Sequence, residues 1–338
     1  VKSGVEQRIE SHADDIDRLL LSSLLKEGAR YLSGTDLSDS ARVSRTSVWK
    51  RFEALREQGF VFEAIPSRGY RLVKLPDFLY PAAVAAGMIA KRLGETLITY
   101  PETGSTNAVA ARLAEAGAKE GTVVLAESQL QGKGRLGRAW ASPPGVNLYA
   151  SVLLRPPIKP FDAPQLTLLS AVAVARTIRA RTPLTPVIKW PNDILVNDRK
   201  VAGLLNEMTS ETDRVATVLL GIGVNLNMTR EQFPSDLRHP ASSLLLEGGE
   251  PVDRISFTRC LLEELDLLYD RYLAGGYNAI REEWVSLCGV ITRRVRVDDG
   301  GAAREGVVEG INESGALLLR LDDGRREAVY SGDVSVVV

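Results

Sequence analysis

Residues 132–145 read Gly-Lys-Gly-Arg-Leu-Gly-Arg-Ala-Trp-Ala-Ser-Pro-Pro-Gly, and this stretch constrains the fold more than any other. Gly132, Gly134 and Gly137 satisfy G-x-G-x-x-G shortly after a predicted strand, Thr122–Glu127. In a dinucleotide-binding unit that pattern opens a helix. Here Pro143 and Pro144 prevent a helix from running past Trp140. Gly-Lys-Ser and Gly-Lys-Thr do not occur, so a Walker A phosphate loop is excluded too. What remains is a glycine loop interleaved with Lys133, Arg135 and Arg138. Glycines let backbone amides approach an anion closely, and the cations supply charge. The loop reads as a flexible cationic clamp for phosphate or carboxylate, which a bare surface loop does not explain.

The surrounding pattern is mixed. Helices are predicted at 82–93, 106–116, 163–179 and 256–274, and strands at 96–100, 122–127, 148–154, 187–189, 194–196, 200–208 and 216–225. Strands and helices do not alternate regularly, so the class is α+β rather than a doubly wound sheet. After Gly289 come strands at 290–297, 304–312, 316–320 and 326–330, separated by Gly-containing turns, which predicts a small barrel. The length of 338 residues suits two or three domains.

The formal net charge of −1 argues against a chain that coats nucleic acid through its overall charge, but it hides an asymmetry. Residues 1–39 hold five basic and eight acidic side chains, and residues 40–74 hold eight basic and three acidic. Asp14 or Asp15 can cap a helix with Ile16, Leu19, Leu20 and Leu24 on its apolar face. Thr35 or Asp36 opens a second helix, and Ser44 caps a third that buries Val48, Phe52 and Leu55. A hairpin follows, 60–65 and 70–73, turning at Pro66-Ser67-Arg68-Gly69. This is a winged helix-turn-helix layout. The third helix would enter the major groove with Arg45, Thr46, Trp49 and Lys50 exposed, and Arg68 would sit on the wing. Such a unit can also be a docking module, but concentration of charge on the recognition element favours DNA.

Three further clusters could hold ligands, although each alone is compatible with ordinary structure. Ser105-Thr106-Asn107 opens a helix, where free amides face polar ligands. Lys189-Trp190-Pro191-Asn192-Asp193 places an ammonium at a rigid turn. Gly221-Ile222-Gly223-Val224-Asn225 ends a buried strand at which backbone can approach closely. Cys260 and Cys288 are too few for a disulfide framework or a Cys-based zinc site, and His12 and His239 are too few for a His-rich metal site. Residues 1–17 are polar and acidic, with no apolar core of a secretory leader, and no apolar run is long enough for a membrane span. A cytoplasmic protein with no membrane partner is the expectation.

In this order the clusters resemble the bifunctional biotin–protein ligase and biotin operon repressor family. The resemblance covers nearly the whole chain, to Ser331-Gly332-Asp333-Val334-Ser335, and rests chiefly on 132–140 and 189–193, with support from Ser105-Thr106-Asn107 and Arg199-Lys200-Val201-Ala202-Gly203. It implies a winged helix at 1–76, a catalytic domain of class II synthetase-like biotin/lipoate ligase fold at 77–288, and an SH3-like β-barrel at 289–338. The implied activity joins biotin to MgATP as biotinyl-5′-AMP and transfers biotin to a lysine of a biotin carboxyl carrier protein, without a tightly bound prosthetic group.

By resemblance, Ser105, Thr106, Asn107 and Gln129 hold the ureido head of biotin, and Gly203 lets its ring approach the sheet. Lys133, Gly134 and Arg135 grip the carboxylate or phosphate. Lys189 bridges the two, and Lys189 and Arg135 carry catalysis. Arg138, Trp140 and Asn225 serve the nucleotide. Asp193 is a candidate for placing magnesium or assisting transfer. Two departures stand out: Lys133 where many members have Arg, and Leu136 where some have a basic residue. The implied partners are operator DNA and a second copy of the chain, paired when ligand is bound. The competing readings are a ligase whose winged helix does not bind DNA, a nucleotide-sensing transcription factor without catalysis, and a lipoate ligase.

Overall fold

The computed structural model describes residues 9–11, 16–237, 240–299 and 303–337. His12, His239 and the expected Asp14/Asp15 cap lie outside them. The N-terminal part runs β1 (Ile9–Ser11), α1 (Ile16–Glu27), α2 (Gly34–Ala41), α3 (Arg45–Glu57), β2 (Val61–Ile65) and β3 (Gly69–Lys74). Leu20, Leu21 and Leu24 meet Leu37, Val48, Phe52 and Leu55 in the core, as their 3–4 spacing requires. Ser44 Oγ accepts from the Ser47 amide at 3.1 Å and caps α3. α2 begins at Gly34, because Ser33 and Asp36 form a reciprocal capping box. The Phe52 ring lies 4.6 Å from Phe62 and 4.8 Å from Tyr70, which pins α3 to the hairpin. Gly69 has φ +106°, and a Cβ there would lie 1.9 Å from Leu32 O. Only glycine lets the hairpin reach the Leu32–Tyr70 backbone bridge.

The central part contains α4 (Pro81–Ala85), β4 (Leu97–Tyr100), α5 (Thr106–Glu115), β5 (Val123–Ala126), β6 (Leu148–Leu154), α6 (Pro164–Arg181), β7 (Val187–Lys189), β8 (Asp193–Val196), β9 (Arg199–Ser210), β10 (Val215–Val224), α7 (Leu244–Gly248), α8 (Arg254–Gly275) and α9 (Asn278–Leu287). Among the described residues the large sheet has the order β1-β4-β5-β6-β10-β9-β8-β7. Only β4 and β5 pair in parallel, so the architecture is mixed α+β. α6 is buried nearly all round, packed between this sheet and α8 and α9.

The expected helix at 82–93 is a single short element, α4. Gly87, at φ +72°, turns the chain, and the amides of Lys91, Arg92 and Leu93 are instead taken by the Asp266 carboxylate at 2.8–2.9 Å. α9 was not anticipated, although Ile280, Trp284 and Leu287 are its buried face. The C-terminal part is the antiparallel sheet β14 (Arg326–Val329), β13 (Leu317–Arg320), β12 (Arg304–Ile311), β11 (Arg294–Asp298), β15 (Asp333–Val336), in that spatial order. β15 is a strand the turn spacing did not reveal.

The three parts are joined by packing rather than strung out. β1 pairs with β4 of the central sheet, Ile9 opposite Thr99, so the chain segment before the winged helix belongs to the large sheet. Arg18 Nε donates to Ala85 O at 3.4 Å, and Gly87 N to Ser22 Oγ at 3.0 Å. Glu127 and Arg254 form a buried ion pair at 2.6 Å, and the Glu127 carboxylate also accepts the Leu79 amide at 2.6 Å. That pair ties the segment after the wing to the strand end that leads into the glycine loop.

Candidate functional site

The N-terminus of α5, the glycine loop, β9, β10 and Asp333 of β15 enclose a cavity of about 530 Å³. Ser105 is the N-cap residue of α5, yet its hydroxyl makes no capping bond, and it faces the cavity. The Thr106 amide donates to Gln129 Oε1 at 2.9 Å, and Gln129 Nε2 donates to Ser142 Oγ at 3.1 Å. The two ends of the glycine loop are thereby tied to one helix terminus. Asn107 Nδ2 donates to Leu205 O at 3.1 Å and to Glu207 Oε2 at 2.7 Å.

β9 and β10 place Gly203 opposite Gly223. A Cβ on Gly203 would lie 2.8 Å from the Trp140 ring, and one on Gly223 2.7 Å. The indole therefore rests on bare backbone, with its Nε1–H buried and lacking a hydrogen-bond partner. The Lys200 ammonium stands 5.4 Å from the indole centroid, a cation–π distance, and 2.6 Å from Asp193 Oδ1.

The loop itself is braced from the C-terminal sheet. Lys133 bridges to Ala139, and Arg135–Gly137 make a 3-10 turn in which Leu136 has φ +57°. Arg135 donates to Asn192 Oδ1 at 3.1 Å and to Gly332 O at 3.4 Å. Arg138 forks onto both carboxylate oxygens of Asp333. Burial pulls the Arg135 guanidinium below its ordinary range, whereas the Asp333 hydrogen bond pushes that of Arg138 up. Both stay cationic at neutral pH, because an arginine begins far above it.

On the winged helix, Arg45, Thr46, Trp49 and Lys50 are exposed along α3, and Arg68 is exposed on the wing turn. Arg45, Thr46, Trp49 and Arg68 line a groove of about 660 Å³ between helix and wing. Four of the five expected DNA residues thus share one concavity, and Lys50 follows Trp49 on the helix.

A model of the biotin/lipoate A/B protein ligase family matches residues 100–225, a biotin protein ligase C-terminal domain model matches 290–337, and an HTH domain model matches 18–71. The chain is 38% identical to the bifunctional ligase/repressor BirA of Bacillus spizizenii, over 94% of this chain and 97% of that one. The chain belongs to the bifunctional biotin ligase/repressor family. It is also 32% identical to BirA of Escherichia coli, over 96% of this chain and 98% of that one. The solved biotin protein ligase from Aquifex aeolicus in complex with biotin and ATP aligns with TM-score 0.62 and 27% identity, covering 71% of this chain and 98% of that one.

Measured against the family's expected site, Ser105, Thr106, Asn107, Gln129, Lys133, Gly134, Arg135, Arg138, Trp140, Asp193 and Gly203 all line the cavity. Lys189 and Asn225 do not. Asn225 is 5% exposed, and its Nδ2 donates to Ser242 O at 3.0 Å, so this amide is engaged in holding a turn. Lys189 ends β7, paired with Asp193 of β8, and the lysines that line the cavity are Lys133 and Lys200. Strand alternation hid this. With period two, Lys200 and Gly203 fall on opposite faces, but the β8–β9 register slips between Ala202 and Lys200. That bulge returns Lys200 to the cavity face, where its Nζ lies 3.2 Å from the place a Gly203 Cβ would take. Glu207 and Asp333 also line the cavity and were not singled out as site residues. Among the described residues no three His, Cys, Asp or Glu side chains gather as a metal set, and Asp193 faces Lys200.

Proposed function

We propose that the cavity binds biotin and MgATP together, and that the chain makes biotinyl-5′-AMP there before passing biotin to a carrier lysine. In the first step a biotin carboxylate oxygen attacks the α-phosphorus and pyrophosphate leaves. Both partners are anions, so the enzyme must supply fixed cations and exclude water rather than a nucleophile of its own. The observation that carries this reading is the Lys200 ammonium beside the glycine-seated Trp140, with Arg135 and Arg138 lining the same cavity. Lys200 takes the bridging role first expected of Lys189. Trp140 serves the nucleotide, and Ser105, Thr106 and Gln129 serve the ureido head. In the second step the carrier amine attacks the mixed anhydride and AMP leaves. Proximity of the two suffices as the driving feature.

The parts divide the work as 1–76 for DNA, 77–288 for catalysis and 289–338 for bracing the loop, with β1 lent to the catalytic sheet. Biotinyl-AMP orders the 129–145 loop and promotes a homodimer whose two winged helices span a palindromic operator. Incubation with an apo carrier domain and either biotin or lipoate tests the ligase: transfer of biotin alone is expected, and transfer of lipoate alone contradicts it. Sedimentation with and without biotinyl-AMP tests the switch, and equal self-association in both states contradicts it.

A further inference from the structure

We infer that Arg254 is a positioning residue that joins both ends of the glycine loop to the segment leaving the winged helix, so that closure of the loop over adenylate stiffens that segment within a single protomer. The inference rests on the reading of the cavity as the adenylate site.

One guanidinium reaches three stretches of chain that lie far apart in sequence. Its Nε donates to Asn147 O at 3.1 Å, just past the glycine loop, and its Nη2 donates to Glu127 Oε2 at 2.6 Å, just before it. Its Nη1 stands 3.5 Å from Asp77 Oδ1, just past the wing, and makes no hydrogen bond. The side chains of Arg254 and Glu127 are both buried, so water does not compete for the inner bonds, and charged hydrogen bonds in such a place are strong. Glu127 extends the junction at both of its ends. Its Oε1 accepts the Leu79 amide at 2.6 Å, and its main-chain carbonyl accepts the Gly145 amide at 3.3 Å. Leu79 is held from the other side by Thr99, whose Oγ1 donates to Leu79 O at 2.7 Å. Asn147 Nδ2 donates to the Tyr149 hydroxyl, which in turn donates to Pro143 O.

The arms of this junction differ in tightness. Those toward the loop are closed hydrogen bonds, whereas the arm toward Asp77 is slack and its carboxylate is 83% exposed. There is also room for the linker to move. A cleft of about 540 Å³ lies between Leu25 and Leu72 of the winged helix and residues 252–255 at the start of α8, with Arg254 and Asp77 both in its wall. A loop that closes fixes residues 127 and 147, and with them the guanidinium and the Leu79 amide. The coupling is reciprocal, since whatever stiffens the linker opposes opening of the loop. None of Asp77, Thr99, Glu127 and Arg254 lines the catalytic cavity, so an effect of any of them on the ligand passes through the loop.

The test compares the wild-type chain with Arg254→Lys, with and without biotinyl-AMP, at a concentration where sedimentation finds monomer. Hydrogen exchange in peptides covering residues 77–80 reads the linker, and chase of labelled biotinyl-AMP reads the loop. In the wild-type chain adenylate is expected to slow exchange at 77–80 about fivefold. Lysine keeps the charge but cannot fork onto three segments at once. In Arg254→Lys the slowing is expected to vanish, and release of biotinyl-AMP to quicken about three- to tenfold. A loss of stability alone would speed exchange equally with and without adenylate and leave the ratio at its wild-type value. A folded Arg254→Lys chain with the wild-type ratio or the wild-type release rate overturns the inference. If Arg254→Lys does not fold, Thr99→Val decides, because it unhooks Leu79 while lying outside the loop and the cavity. Release faster by about twofold or more supports the coupling, and unchanged release overturns it. A wild-type chain that retains biotinyl-AMP without any change at 77–80 overturns the inference alone. One that neither forms nor retains biotinyl-AMP overturns the adenylate reading, and the inference with it.

Discussion

Gly223 shows how far a single missing methyl carries. Alanine there would place its Cβ 2.7 Å from the Trp140 ring, closer than packed carbons tolerate. Gly223→Ala is expected to lift the indole from the sheet and raise KM for ATP about tenfold while leaving the denaturation midpoint within a few degrees, checked by steady-state kinetics and thermal melting. The glycines were legible from the strand that carries them, and so was the cationic loop. Lys200 was quoted only as part of a supporting motif. A bulge is a property of two paired strands, and the sequence of one strand does not contain its register. The same limit explains Asn225, whose partner Ser242 lies in a separate loop.

Among elements, the glycine loop makes contacts at both ends and at its tip, which the ligand would reinforce. Gln129 and Ser142 tie its base, while Arg135 and Arg138 reach Gly332 and Asp333. Asp333→Ala removes the acid that forks Arg138, and the loop is expected to open more often. Release of preloaded biotinyl-AMP should quicken about three- to tenfold, read by chasing labelled adenylate, as for the loss of one charged hydrogen bond. An unchanged release rate would separate the C-terminal sheet from loop closure. Elements with strong local signals were readable, α3 and α8 above all, because caps and apolar periodicity lie within the element itself. The 82–93 segment misled because its alanine run reads as helix, whereas Gly87 and the acceptor Asp266 from α8 redirect the backbone. Tertiary acceptors override propensity there.

At the scale of the whole molecule, the near-zero charge is a sum of unlike surfaces. The basic face of α3 and the wing sit on a unit that shares its apolar core with the catalytic part, and β1 crosses back into the central sheet. The side chains proposed for DNA binding are nevertheless separate from those proposed for ligation. Replacing Arg45 and Lys50 with Ala is expected to lower affinity for promoter DNA of the chain's own biotin genes and to reduce the salt slope by about two, with ligation unchanged. Gel shifts across a salt series check this, and loss of ligation in the same variant would contradict the separation. The most direct measurement is biotin-dependent ATP–pyrophosphate exchange by the wild-type, Lys189→Ala and Lys200→Ala chains. Exchange is expected from wild type and Lys189→Ala, with a fall of roughly a hundredfold or more in Lys200→Ala, the scale of losing one preorganised charge at a phosphoryl centre. Full exchange by Lys200→Ala, or none by the wild-type chain, would contradict the assignment of this cavity as the ligase site.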